Sequence, residues 1–469
     1  MSRIIPKDSD TICAESTPTG RGGISVIRVS GDKAWDLATT LAPQLVGKKI
    51  ESHRCYLAKA VGPDGSELDE ALFTFFEKNR SFTGDRVVEI SCHGSPLIVD
   101  SLLRSLIHLG ARAADRGEFT YRAFMNGKLD LVQAESVLGL IESNSKKAAE
   151  LSLRQLGGHL SQQLISYEDT LIWSLAHLEA SIDFSTEDIE VVDHSLLRAR
   201  LTSVQQGLSR LVSSFQQGRR IAHGFRLVIL GAPNVGKSSL LNRMLEKDKA
   251  IVTDIAGTTR DLIEDSYIFK GRLFTIVDTA GIRESSDVVE RIGIKKSLDS
   301  LKSCDAVLFV YDVSRAADDA DLELLKQLLG LNLILVGNKR DLLLGEDRFL
   351  SSLNEKNFQR ISELKSIPRL QISSFDEGDG LKLKEAIYEC AKEGTEDLSV
   401  MLSNSRHFEA LSKALLGVER ALEILTAGTG AEFVAVELKD SLLRVQETLG
   451  HRFDDQILDR VFKEFCVGK

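Results

Sequence analysis

Several absences narrow what this sequence encodes. No apolar run approaches the roughly 18 residues that a membrane span needs, so no membrane partner is expected. The six cysteines, at 13, 55, 92, 304, 390 and 466, form no C-x-x-C pair. That spacing argues against a zinc site or a disulfide framework and suits a reducing compartment. The opening "MSRIIPKDSD" has no apolar stretch behind Arg3, which argues against a secretory signal. A cytoplasmic location is the expectation. A formal charge of −10 leaves no global basic field. Nucleic-acid phosphates would therefore meet local patches or a second protein's surface.

What is present reads as several globular domains. The 469 residues are 43% hydrophobic, enough for real cores, and the length suggests roughly three domains. Residues 10–120 read as mixed α/β, with strands at "ISVIRVS" (24–30) and "RVVEISC" (86–92). From about Leu129 apolar residues recur at helical spacing, and proline is absent from 97 to 232. Gly157 and Gly158 interrupt that pattern at about 2 kcal/mol in a helix interior, which predicts a break. The acidic "STEDIE" (185–190) reads as a solvated turn, with another helix over roughly 195–219. From Phe225 short apolar strands alternate with amphipathic segments, at 226–230, 273–277, 306–312 and 331–337. That alternation predicts a parallel sheet with helices on both faces. Beyond about 396 the pattern is helical again. The expected division is an α/β domain over 1–122, a helical domain over 123–220 and 393–469, and a second α/β domain, 221–392, inserted into it.

The inserted segment carries nucleotide motifs in a fixed order. "GAPNVGKSS" (231–239) fits G-x-x-x-x-G-K-[ST] between a strand and a helix. Backbone N–H groups around Asn234, Val235 and Gly236 would wrap phosphates, Lys237 would reach the β/γ oxygens, and Ser238, followed by Ser239, would ligate Mg²⁺. In "TDIAGTT" (253–259), Thr253, Asp254, Ile255, Ala256 and Gly257 lead to Thr258 and Thr259, which can close on metal and γ-phosphate. "DTAG" supplies Asp278, Thr279, Ala280 and Gly281 at the end of an apolar strand. "NKRD" follows another strand: Asp341 would accept from guanine, Asn338 would brace the loop, and Lys339 lies between them. A base loop at Ser373, Ser374 and Phe375 would offer a backbone N–H to guanine O6. Fourth in this series, "NKRD" selects GTP over ATP, because a wrong base leaves a buried carboxylate unpaired. One part is missing. The position after D-x-x-G, where many small GTPases have a water-orienting glutamine, is Ile282. Arg283, Glu284, Glu290 and Arg291 are the nearby candidates for that work, and solvated surface charges are the plainer reading.

These motifs, with "STPTGRGGISVIRVSG" (16–31), "GEFTYRAFMNGKLDLVQAE" (117–135) and the terminal "FCVGK", resemble the tRNA-modification GTPase family MnmE (TrmE) over nearly the whole chain. The resemblance implies an N-terminal tetrahydrofolate-binding, dimerising α/β domain, a helical domain and an inserted Ras-like P-loop GTPase domain. It implies a homodimer whose GTPase is activated by K⁺-dependent dimerisation of the G domains. K⁺ would be held by Asn234, Thr253, Ile255 and Thr258, and Mg²⁺ by Ser238 and Thr259, with Glu290 orienting the water. It further implies action on tRNA with an FAD-dependent partner, MnmG. Together they would add aminomethyl or carboxymethylaminomethyl groups at C5 of the wobble uridine. The one-carbon carrier, 5-formyl- or methylene-tetrahydrofolate, would be bound by Arg28, Glu89, Lys128 and Lys469, with Cys466 as a catalytic thiol. From the six terminal residues alone a frayed tail with an incidental cysteine is the plainer reading, the terminal box fits C-a-a-X poorly, and against the catalytic role stands a small buried residue anchoring the tail. Departures from the family pattern are Val467 for Ile, Ser95 for the second glycine of "HGG", and Ser374 for Ala. The competing reading is a nucleotide-switched RNA- or ribosome-binding GTPase that does no chemistry on tRNA.

Overall fold

The structure is a computed structural model. It describes residues 10–183, 194–245, 265–277, 301, 304–316, 319–343, 367–392, 400–428 and 430–469. The chain divides into two compact units, one of Met1–Ile141, Arg154–Arg210 and Glu409–Lys469, the other of Glu142–Leu153 and Leu211–Phe408.

The first unit opens with strands β1 (Ile12–Glu15), β2 (Ile24–Ser30), β3 (Cys55–Val61), β4 (Glu67–Phe76), β5 (Val87–His93) and β6 (Arg112–Ala113). They form one sheet in the order β3-β4-β5-β2-β1-β6, antiparallel except for the β1–β6 pair. Alternation decides its two faces. Ile27 and Val29 of β2, Phe73 and Phe75 of β4, and Val88 and Ile90 of β5 are fully or almost fully buried. They join one core with Leu37 and Leu41 of helix α1 (Ala34–Leu41) and Leu102 and Leu106 of α2 (Pro96–His108). The interleaved Arg28 and Glu89 therefore stand on the other face. Burial pushes the Cys92 thiol up to about 11, as it does Cys13, so both are inert packing residues.

Helices follow along the chain: α3 (Glu118–Met125), α4 (Leu131–Ile141) and α6 (His159–Asp183) belong to the first unit, α5 (Lys146–Leu156) mostly to the second, and α7 (His194–His223) divides between them after Arg210. The predicted break falls between Leu156 and His159, where Gly158 takes φ +83°. The predicted turn at 185–190 lies outside the described residues. Within the first unit α6 packs on a later helix, Ala431–Leu449. There the buried Glu168 accepts from Gln446 Nε2 and pairs with His451 Nδ1, both at 2.8 Å.

The second unit holds β7 (Phe225–Leu230), α8 (Lys237–Leu245), β8 (Asp265–Phe269), β9 (Arg272–Val277), β10 (Ala306–Asp312), α9 (Asp319–Gln327), β11 (Leu333–Asn338), β12 (Arg369–Gln371) and α10 (Glu377–Cys390). The strand order is β12-β11-β10-β7-β9-β8. Strand β10 shows why both faces are covered. Leu308 and Val310 pack with Leu240 and Met244 of α8 and Leu383 and Ile387 of α10, whereas Val307 and Phe309 pack with Leu325 of α9. One strand departs from the expected all-parallel arrangement: β8 pairs antiparallel with β9. The two residues between them, Lys270 at φ +49° and Gly271 at φ +76°, make the tight connection that matches hairpin twist. The chain then continues through α11 (Ser405–Ala427), α12 (Ala431–Leu449) and α13 (Asp455–Lys463), most of which return to the first unit. No helix among the described residues is long and apolar enough to cross a membrane.

Candidate functional site

In the second unit the loop after β7 carries Asn234 in the left-handed region at φ +61°, followed by Gly236 at φ +95°. A Cβ on Gly236 would overlap Nδ2 of Asn338, so only glycine fits. Lys237 opens α8, and its Nζ lies over the loop, donating to the carbonyls of Gly231 and Ala232 at 2.9 Å. Val235 is buried; Asn234, Ser238 and Ser239 are exposed. Asn338, almost fully buried at the end of β11, ties three segments together. Its Nδ2 donates to the Val235 carbonyl at 2.9 Å, and its Oδ1 accepts from the backbone N–H and hydroxyl of Ser374 at 3.1 and 2.8 Å. The exposed Asp341 accepts from the Ser373 hydroxyl at 2.6 Å. Lys339, at φ +65°, donates to Asp312 at 2.7 Å. Burial pushes the Asp312 carboxyl up, but bonds from Lys339 and Ser314 outweigh it and hold the group below its usual value. Phe375 projects into solvent.

Two supports had no signal in the motifs. Arg243 of α8 donates to the carbonyls of Ser374 and Phe375 at 3.0 and 3.2 Å. Asp379 of α10, buried, accepts from the Ser373 N–H at 2.9 Å and pairs with Arg340 at 2.7 Å. Both lie at spacings that no short motif encodes. Thr253, Asp254, Ile255, Ala256, Gly257, Thr258, Thr259, Asp278, Thr279, Ala280, Gly281 and Glu290 lie outside the described residues. Replacing Asn338 by alanine leaves a buried carbonyl and N–H without partners, each costing about 1–3 kcal/mol. A titration with a fluorescent guanine nucleotide should show affinity lowered by at least about tenfold; wild-type affinity would show that Asn338 braces nothing.

In the first unit Arg28 and Glu89 are direct cross-strand partners. The Arg28 Nε and Nη2 donate to Glu89 Oε1 at 3.0 and 2.8 Å. The Arg28 guanidinium also lies 5.4 Å from the ring centroid of Phe82 and 5.6 Å from that of Phe119. The last residues run against the same region. Val467 bridges Arg116, the Gly117 N–H donates to the Cys466 carbonyl at 3.3 Å, and the Ser16 hydroxyl donates to the Gly468 carbonyl at 3.1 Å. The Phe119 N–H donates to the Lys469 carbonyl at 3.2 Å. Burial, then the charge of Arg28, pushes the Lys469 ammonium below its usual value, with Cys466 and Glu89 acting the other way. An anionic ligand group there would offset that repulsion. Cys466 is a partly exposed free thiol. Lys128 donates to the Asn79 carbonyl at 3.0 Å. The structure thus brings Arg28, Glu89, Cys466 and Lys469 together, with Lys128 tied to the neighbouring loop that carries Phe82. Ser95 sits at φ −102°, a backbone any residue adopts, so its replacement of glycine costs no strain.

Comparison with known proteins bears on both regions. The family model "GTP-binding protein TrmE N-terminus" matches residues 11–128, and "MnmE helical domain" matches residues 131–466. The tRNA modification GTPase MnmE of Bdellovibrio bacteriovorus is 49% identical over 99% of this chain and 98% of its own. That of Acetivibrio thermocellus is 38% identical over 98% and 99%. Among solved structures, the G domain of the T. maritima FeoB iron transporter is 27% identical over 36% of this chain and 99% of its own, with a TM-score of 0.25. On the family models and these full-length identities, the chain belongs to the MnmE family of tRNA modification GTPases.

Proposed function

We propose that this chain is a GTP-hydrolysing tRNA-modification enzyme. With an FAD-dependent MnmG-type partner it adds an aminomethyl or carboxymethylaminomethyl group at C5 of the wobble uridine. The observation that carries the reading is the convergence of Arg28 and Glu89 with the terminal Cys466 and Lys469, a constellation with no place in a plain nucleotide switch. A carboxylate-bearing tetrahydrofolate suits it: Arg28 and Lys469 supply cationic groups, and Glu89 an acceptor for ring N–H groups. The carrier, when bound, supplies the one-carbon unit. Cys466, exposed enough to be reached, offers a thiol beside it. In the second unit Asn234 would contribute to K⁺ and Ser238 to Mg²⁺, and the exposure of both side chains fits such roles. Those cations would supply positive charge at the phosphates. The homodimer would complete the K⁺ site by pairing two G domains.

The test is mass spectrometry of wobble nucleosides in tRNA from cells that lack their own family member, complemented with this chain or its Cys466→Ser variant. Restoration by the wild type alone supports the reading and the thiol's role. Failure of a GTP-hydrolysing wild type to restore the modification would favour the switch module. Exchanging sodium for potassium should raise GTP turnover at least about tenfold, since the ion does work that arginine fingers do at 10³–10⁵. Equal rates in the two salts would remove K⁺ from the account.

A further inference from the structure

Phe82 is a partly exposed aromatic, 37% accessible, held by a loop with little freedom. Its neighbours Ser81 and Thr83 are buried. The Thr83 hydroxyl bonds Ser30 at 2.8 Å, the Gly84 N–H donates to the Ser81 hydroxyl at 3.0 Å, and the Asn79 N–H donates to the Gly84 carbonyl at 2.8 Å. From the other side Asn126 donates to the Thr83 carbonyl at 2.7 Å and Lys128 to that of Asn79 at 3.0 Å. A loop so tied could have turned its aromatic inward; instead it presents the ring beside Arg28. Phe119, whose ring lies at a similar distance from that guanidinium, is fully buried and acts as a floor. Of the two rings beside Arg28 among the described residues, Phe82 is therefore the one a ligand can reach. Both Arg28 bonds land on Oε1 of Glu89, leaving Oε2 to accept from ring N–H groups.

We propose that Phe82 is the stacking wall of the one-carbon site, packing against the flat pteridine ring of the carrier. The proposal rests on the folate reading above. A ring fixed in place loses little entropy on contact, and stacking of a flat heteroaromatic on an aromatic side chain is lost on truncation with an affinity drop of roughly 5- to 100-fold. Because the ring also touches Arg28, its contact with ligand must be separated from a role exerted through that arginine.

The experiment is titration of the full chain with 5-formyltetrahydrofolate, comparing wild type with Phe82→Ala, Phe82→Leu and Phe82→Tyr. Phe82→Ala and Phe82→Leu should each weaken binding about tenfold or more, and Phe82→Tyr should bind within about threefold of wild type. Leucine keeps the apolar bulk, so a loss there is not misfolding. A double variant, Arg28→Ala with Phe82→Ala, should bind more weakly than Arg28→Ala alone. If it binds no more weakly, Phe82 acts only through Arg28 and the stacking proposal is overturned. Leucine at wild-type affinity overturns it too. A wild-type chain that does not bind the ligand overturns the folate reading itself, a separate result.

Discussion

A Glu290→Ala chain is expected to turn over GTP about 10²- to 10⁴-fold more slowly than wild type, the range for removing a positioned general base, with nucleotide affinity nearly unchanged. The hydrolytic water needs an oriented acceptor, and the position after D-x-x-G that commonly provides one is Ile282, a hydrocarbon. The carboxylates that follow closely are Glu284, Asp287 and Glu290. The family resemblance selects Glu290. Affinity should survive because the groups proposed to grip nucleotide are other residues, Lys237, Asn338 and Asp341 with the backbone around Gly236. Single-turnover hydrolysis with a parallel nucleotide titration separates the two effects. Wild-type turnover would mean that another group orients the water. A matching loss of affinity would mean that the segment serves binding.

Gly468→Ala is expected to weaken 5-formyltetrahydrofolate binding about 10- to 100-fold while leaving GTP turnover intact, since charge-assisted contacts are worth about 1.5–3 kcal/mol each. Gly468 takes φ +92°, and a Cβ there would overlap the Glu15 carbonyl and press on Ser16. Alanine can adopt neither the dihedral nor the space, so the tail must lift from β1. Lifting it breaks the Ser16 and Phe119 bonds and withdraws Lys469 from Arg28 and Glu89. The residues proposed to hold nucleotide belong to the other unit, so GTP turnover serves as the internal control. Val467→Ile is the control: that side chain is half exposed and should accept a methylene freely. Titrating both variants and assaying GTP hydrolysis decides it. Equal affinity for Gly468→Ala and wild type would show that the tail's seat does not matter for binding.

Sequence and structure agree where the physics is local. The apolar runs of β7, β9, β10 and β11 are buried on both faces and read plainly as strands; β12 is three residues long and β8 is an edge strand, so neither stood out. The break at Gly157 and Gly158 was legible because backbone entropy acts at the residue itself. Asn338 was legible as a brace, but Arg243 and Asp379 were not, because the partners of Arg243 lie more than a hundred residues away and Asp379, on α10, reaches back to Ser373 and Arg340. The same holds in the first unit. Arg28, Glu89 and Lys469 came from resemblance alone, since a cross-strand pair 61 residues apart has no local signature. Phe82 and Phe119 belong to no chemical motif; only the fold brings the Arg28 guanidinium to 5.4 and 5.6 Å from their rings.

The bond from Ser16 to Gly468 joins residues 452 apart in sequence. Closing so long a loop costs little in stability, since the entropy grows only with the logarithm of length. It costs time, because the contact waits for everything between its ends to become compact. The strands and loop proposed to hold nucleotide lie within residues 225–392 and close much shorter loops. A refolding chain should therefore regain guanine-nucleotide binding before it regains folate binding. Stopped samples assayed for both would show the one-carbon site maturing last.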